Sequence, residues 1–184
     1  MEQIDELYKS YYNKHLNLNT DGCTIPCMGL ISGTRILFIG QNPGHPYSNK
    51  DLDIFKDFGT LDYESHQASF KTSWVDSKFM NFIKKICDYA QIEFNDTSVT
   101  NFIKYWTKNN MKPPVTSDDQ ELLACEIKLL NPDVVVYLSK FAYNNFELKN
   151  KIKTKQLVFN HPASKYYSTN YANDIAKTIA KQLN

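Results

Sequence analysis

Ile36-Leu-Phe-Ile-Gly-Gln-Asn-Pro-Gly44 sets the fold of this chain. Four apolar, β-prone residues in succession fit a strand buried on both faces, as in a parallel sheet. The run stops abruptly at Gly40-Gln41-Asn42-Pro43-Gly44, a turn fixed by two glycines and a proline. Open α/β sheets bind their ligands outside the carboxyl ends of their strands. A turn presenting two side-chain amides there is a candidate site, and an ordinary strand-to-helix turn is the competing reading.

Outward from this stretch, helical and strand signals alternate. Residues 4–17 predict a helix with Leu7, Tyr8, Tyr11 and Tyr12 on one face, and 35–40 is the first strand. Residues 44–73 are polar with scattered aromatics, and loops of that length in a compact domain are usually functional. An amphipathic helix over 76–91 aligns Phe79, Phe82, Ile83, Ile86, Cys87 and Ala90. Residues 97–103 form a second β-rich run, followed by a polar loop over 104–116. Ser117 is the expected N-cap of a helix that runs to Leu130, with acidic residues in its first turn. Asn131-Pro132 stops it before a third strand at 133–138. A short helix at 140–148, a strand at 156–160 ending in His161-Pro162, and a helix at 170–183 complete the chain.

Such alternation predicts an α/β fold: a single domain over residues 1–184, built as a three-layer α/β/α sandwich around a central, mainly parallel four-stranded sheet. Parallel strands share one carboxyl rim. Gln41, Asn42, Asn101 and His161, far apart in sequence, are therefore expected on the same edge.

Composition narrows the function classes. With 184 residues and 42% apolar content the chain can bury a proper core. No apolar run reaches the roughly 20 residues that span a bilayer. The N-terminus, Met1-Glu-Gln-Ile-Asp-Glu-Leu7, is acidic and lacks a signal-peptide core, so a cytoplasmic protein without a membrane partner is expected. Net charge is +1 and Arg35 is the single arginine, so charge alone announces no nucleic-acid partner. Lys149, Lys151, Lys153 and Lys155 form a basic cluster that reads as a solvated loop or as a phosphate track. Of four cysteines, Cys87 reads as a small core residue, and Cys23 and Cys27 form a C-x3-C pair. That pair would suit a metal only if further ligands converged.

The rim has no carboxylate dyad, Ser-His-Asp order, H-E-x-x-H, phosphate-cradling G-K-[ST] or dinucleotide G-x-G-x-x-G. Asn42 can orient a water but is a poor base. Asn101 offers a donor and an acceptor side by side, matching the edge of an amide-like heterocycle. His161 can donate a hydrogen bond from a neutral ring. The set suits loss of a heterocyclic anion stabilised by aimed donors.

Four segments carry a resemblance: Gly40-Gln-Asn-Pro-Gly44, Thr100-Asn-Phe-Ile-Lys104, Leu129-Leu-Asn-Pro-Asp-Val-Val-Val136 and Asn160-His-Pro-Ala-Ser164. In kind and order they resemble the uracil-DNA glycosylase superfamily, over about residues 20 to 170. The resemblance implies a monofunctional DNA N-glycosylase of base-excision repair that flips uracil, or a related deaminated base, out of the stack and hydrolyses its glycosidic bond. It places Asn42 as the water-positioning residue, where the most active branch has Asp, so slower catalysis is expected. His161 becomes the donor to the departing base. Gln41 and Asn101 contact the base, with Phe55 or Phe58 stacked on it in preference to Tyr47 or Phe70. His45 and His66 read as solvated loop residues. Ser164, Lys165 and Tyr166 grip DNA, with Tyr166 or Tyr167 as the wedge that fills the vacated stack. Single-stranded or mismatched DNA is the implied partner of a monomeric protein.

The chain departs from the iron–sulfur branch that it most resembles in layout. Cys23, Cys27 and Cys125 lie near three of that branch's four cysteine positions, but Tyr105 occupies the third, just after Lys104. No metal, iron–sulfur cluster or other cofactor is expected. Two readings stay open beside uracil excision: action on another modified base, and a non-catalytic nucleic-acid- or nucleotide-binding protein. A cysteine-ligated metal protein has less support.

Overall fold

Ile36–Gly40 is a strand in which every residue is buried, as its unbroken apolar run requires. The computed structural model describes residues 2–15, 28–29, 33–43, 77–105, 114–162 and 168–183. Within them the strands are β1 (Met28–Gly29), β2 (Ile36–Gly40), β3 (Thr97–Asn101), β4 (Val134–Tyr137) and β5 (Lys155–Val158). They form one sheet in the order β1-β3-β2-β4-β5. The pairs β2–β3, β2–β4 and β4–β5 are parallel. Their carboxyl ends therefore share one rim, on which Gly40 stands in register with Asn101.

The sheet has five strands where the sequence predicts four. The addition is β1, whose Met28 and Gly29 pair antiparallel with Val99 and Ser98. Two residues are too few for any periodic signal, so tertiary pairing alone makes them a strand. Gly29 is obligatory there. Its φ is +107°, and a Cβ would lie 2.4 Å from the Thr97 carbonyl oxygen.

Helices cover both faces, giving three layers. On one face α1 (Glu2–His15), α3 (Ser117–Leu130) and α4 (Lys140–Asn145) pack on Leu37, Ile39, Val135 and Tyr137. On the other, α2 (Lys78–Ala90) and α5 (Thr169–Leu183) pack on Ile36, Phe38, Val99, Val134 and Val136. Alternate residues of each strand feed opposite cores, as the pleat dictates. Cys87 lies in the second core, where its burial pushes the thiol pKa up to about 12 and keeps it an inert packing residue.

The helix ends refine the sequence reading. The N-cap of α3 is Thr116 rather than Ser117, because Thr116 and Asp119 form a reciprocal capping box. Residues 140–148 are not one helix: α4 ends at Asn145 and a 3-10 turn, Glu147–Lys151, follows. No helix among the described residues is long and apolar enough to cross a membrane.

Candidate active site

The first and second rim motifs are laced together by backbone. Beyond β3 the chain runs alongside the turn after β2, where Phe102 N–H donates to the Gly40 carbonyl at 3.0 Å and Ile103 N–H to the Gln41 carbonyl at 2.9 Å. Gln41 and Asn42 are half-buried and Pro43 is buried. The Asn42 side-chain nitrogen donates to the Pro43 carbonyl at 3.2 Å. This tie uses the donor end of the amide, so the end suited to accept from a water is Oδ1.

Asn101 lies against Gly40 itself. A Cβ on residue 40 would stand 2.4 Å from Asn101 Oδ1 and 3.5 Å from the tip of the Phe79 ring. Glycine is needed here for close approach, since its missing side chain is the seat of the Asn101 carboxamide.

His161 reaches the same place from β5. The ladder continues one residue past that strand, with Phe159 N–H donating to the Tyr137 carbonyl at 2.8 Å. Tyr171, in the first turn of α5, donates its hydroxyl to the Asn160 carbonyl at 2.8 Å and so fixes the backbone just before His161. The imidazole stacks on Phe79 with ring centroids 6.1 Å apart and planes within 9°. Burial lowers the His161 pKa from its ordinary 6.5, so the ring is neutral at pH 7.

Phe79 is thus the piece that joins the motifs, touching the Gly40–Asn101 seat on one side and His161 on the other. One turn along α2, Phe82 stacks on Tyr171 at 5.9 Å. The sequence reading assigns Phe79 only to a core-facing stripe. Topology offers the missed signal: a helix that follows a parallel strand starts at the rim, so the first turns of α2 and α5 carry site neighbours.

Below the rim lies a second surprise. Lys104, placed by the sequence in a polar loop, is completely buried and forms an ion pair with buried Glu126. By contrast, the basic cluster sits at the amino end of β5, away from His161. Lys155 donates to the Gln182 carbonyl at 2.5 Å, and Lys149 lies over the Tyr143 ring at 5.1 Å. Solvated-face lysines with local partners are what this placement supports.

Of the predicted site residues, the structure brings Gln41, Asn42, Asn101 and His161 to one edge. Phe55, Phe58, Ser164, Lys165 and Tyr166 lie outside the described residues, as do Tyr47, Phe70, Tyr167, His45, His66, Cys23 and Cys27. Cys125 is a half-buried free thiol on α3. Among the described residues no three His, Cys, Asp or Glu side chains cluster as a metal site would need.

The arrangement offers three side-chain amides, a neutral imidazole and an aromatic wall at the end of a parallel sheet. The family model for the uracil DNA glycosylase superfamily matches residues 28–183. No curated protein matches the chain.

Proposed function

This chain belongs to the uracil DNA glycosylase superfamily, and from that premise we propose that it excises uracil, or a closely related deaminated base, from DNA as a monofunctional glycosylase. Membership itself suggests DNA glycosylase activity and makes DNA a plausible partner. The observation that carries the finer reading is that Asn101 and Phe79 meet at Gly40, next to Asn42, and that Phe79 in turn stacks on His161.

In the proposed reaction the target nucleotide leaves the stack, at a cost of a few kcal/mol that is smallest for mismatched or single-stranded DNA. Asn101 pairs with the polar edge of the base. The bond between the sugar C1′ and the base nitrogen breaks, and its electron pair goes onto the base. Neutral His161 donates to the base oxygen on which that charge accumulates. Asn42 Oδ1 holds a water facing C1′. The water oxygen bonds to the sugar and loses a proton to solvent, leaving an abasic site and free base. One donor aimed at the developing anion in a dry pocket is worth roughly 3 kcal/mol of barrier.

No amine nucleophile is part of this proposal. The Lys104 ammonium is sealed beneath the rim and bound to acceptors, which supports hydrolysis without strand cleavage. The chemistry needs only water and fixed donors, so no cofactor is included.

The deciding experiment incubates the protein with single-stranded, matched and mismatched oligonucleotides that each carry one uracil, followed by alkali. Excision is expected, falling about 10²- to 10³-fold in His161→Ala and at least about 10-fold in Asn42→Ala. Absence of an abasic product from every uracil, hypoxanthine and xanthine substrate overturns the reading. Parallel hypoxanthine and xanthine substrates reveal whether the same site serves another base.

A further inference from the structure

Lys104 has a three-hydrogen ammonium, and each hydrogen has an acceptor. The Asn101 carbonyl oxygen lies at 2.6 Å, Glu126 Oε2 at 2.5 Å, and Thr100 Oγ1 takes the third bond. Thr100 Oγ1 in turn donates to Glu126, 3.1 Å from Oε2. The other carboxylate oxygen accepts the hydroxyl of Tyr8 from α1. Neither Lys104 nor Glu126 has any solvent exposure. The last residues of β3, the turn after it, α1 and α3 therefore close on one ion pair directly under Asn101.

Stability alone is a poor reason for such a pair. Both charges lose their hydration on folding, and apolar side chains of similar volume often serve a core as well or better. What a buried ammonium supplies is direction, because its three donors tie three atoms in a fixed geometry. One of those atoms is the Asn101 carbonyl. The others anchor it to β3 and α3. Asn101 is then constrained from three sides: its register opposite Gly40, the side-chain seat on Gly40, and the ammonium at its carbonyl.

We propose that Lys104 and Glu126 are a positioning pair, holding the Asn101 peptide so that its carboxamide presents a fixed donor and acceptor to the flipped base. This rests on the reading of Asn101 as the partner of the base edge. Neither charged residue touches substrate. Both act through Asn101, and loss of the pair frees that side chain to turn.

The test uses the full chain with Lys104→Met/Glu126→Leu, which removes both charges together so that neither is left buried alone. The variant is expected to fold and to melt a few degrees below the wild type, because Tyr8, Thr100 and the Asn101 carbonyl lose their bonds to the pair. Its kcat/KM on a uracil oligonucleotide is expected to fall about 10- to 100-fold, the scale of a misplaced contact, with a narrowed preference for uracil over other bases. A folded double variant with wild-type kcat/KM and selectivity overturns the proposal. A second readout needs no catalysis. The Asn101 side-chain amide signals, assigned by their loss in Asn101→Asp, are expected to be sharp and dispersed in the wild type and averaged in the double variant. Averaged signals in the wild type, or unchanged signals in the variant, overturn the proposal even if the variant is hard to purify. A wild-type chain that excises nothing removes the parent reading, while the amide signals still decide the positioning.

Discussion

A methyl group on residue 40 would occupy the place of the Asn101 amide oxygen. Gly40→Ala is therefore an activity variant more than a stability variant. Backbone strain is no obstacle, because Gly40 lacks a positive φ. Overpacking costs typically 1–3 kcal/mol, relieved here if the half-buried Asn101 side chain swings out. Excision should fall about 10-fold or more while the melting temperature drops by only a few degrees, measured as kcat/KM beside a thermal melt. A variant that melts early yet excises at the wild-type rate would show that the seat has no role. At this scale Gly40, Asn42, Asn101 and His161 were legible, because glycine, proline and strand ends punctuate the sequence. Lys104 was not, because hydropathy assigns any lysine to solvent and only the folded chain reveals its acceptors.

Individual elements carry the site by their ends. α2 begins at the rim and places Phe79 against His161 and Phe82 against Tyr171, so Phe79 covers one face of the imidazole. Burial lowers the His161 pKa below 6.5. In the unfolded chain this histidine binds a proton near 6.5, whereas the folded protein resists it to lower pH. The unfolded state thus holds more protons in that window, and His161 withdraws stability as pH falls from 6.5 towards its folded value, with no cost at pH 7. An NMR titration, assigned with His161→Gln, should give a midpoint below 6.5, and Phe79→Ala should move it upward by opening one face of the ring to water. A wild-type midpoint at or above 6.5 would contradict the burial argument. The same scale shows what periodicity can and cannot reveal. The alternating elements were predicted to within a few residues at most ends, whereas β1 was missed because Met28–Gly29 owes its form to β3 alone. The Thr116 cap was misplaced by one because Thr116 and Ser117 are both good caps, and only Asp119 pairing back to Thr116 decides between them.

Across the whole molecule, the layers on either side of the sheet differ in kind. The α2–α5 side is an apolar core with Cys87 inside it. The α1–α3 side has carboxylates within it: Tyr8 donates to Glu126 and Tyr11 to Asp119, with all four side chains buried. Burial and the neighbouring Asp119 carboxylate push the Tyr11 pKa upward, which keeps its hydroxyl a donor. The β–α alternation made the layers legible. This network was not, because Tyr8 and Glu126 lie 118 residues apart and no local pattern links them. Its geometry means that the docking of α1 bears on the rim, since the Tyr8 hydroxyl completes the acceptor set of the carboxylate that pairs with Lys104. Two variants separate this coupling from general destabilisation. Thr116→Ala removes the cap of α3 and should cost about 1 kcal/mol, leaving kcat/KM unchanged well below the melting temperature. Tyr8→Phe removes one hydrogen bond to a buried carboxylate, for about 1.5–3 kcal/mol, and should also slow excision several-fold because Glu126 and Lys104 readjust beneath Asn101. Urea unfolding gives the stability change and steady-state assays at low temperature give the rate. If Tyr8→Phe keeps full activity, or Thr116→Ala loses as much, then α1 stabilises the fold without reaching the site.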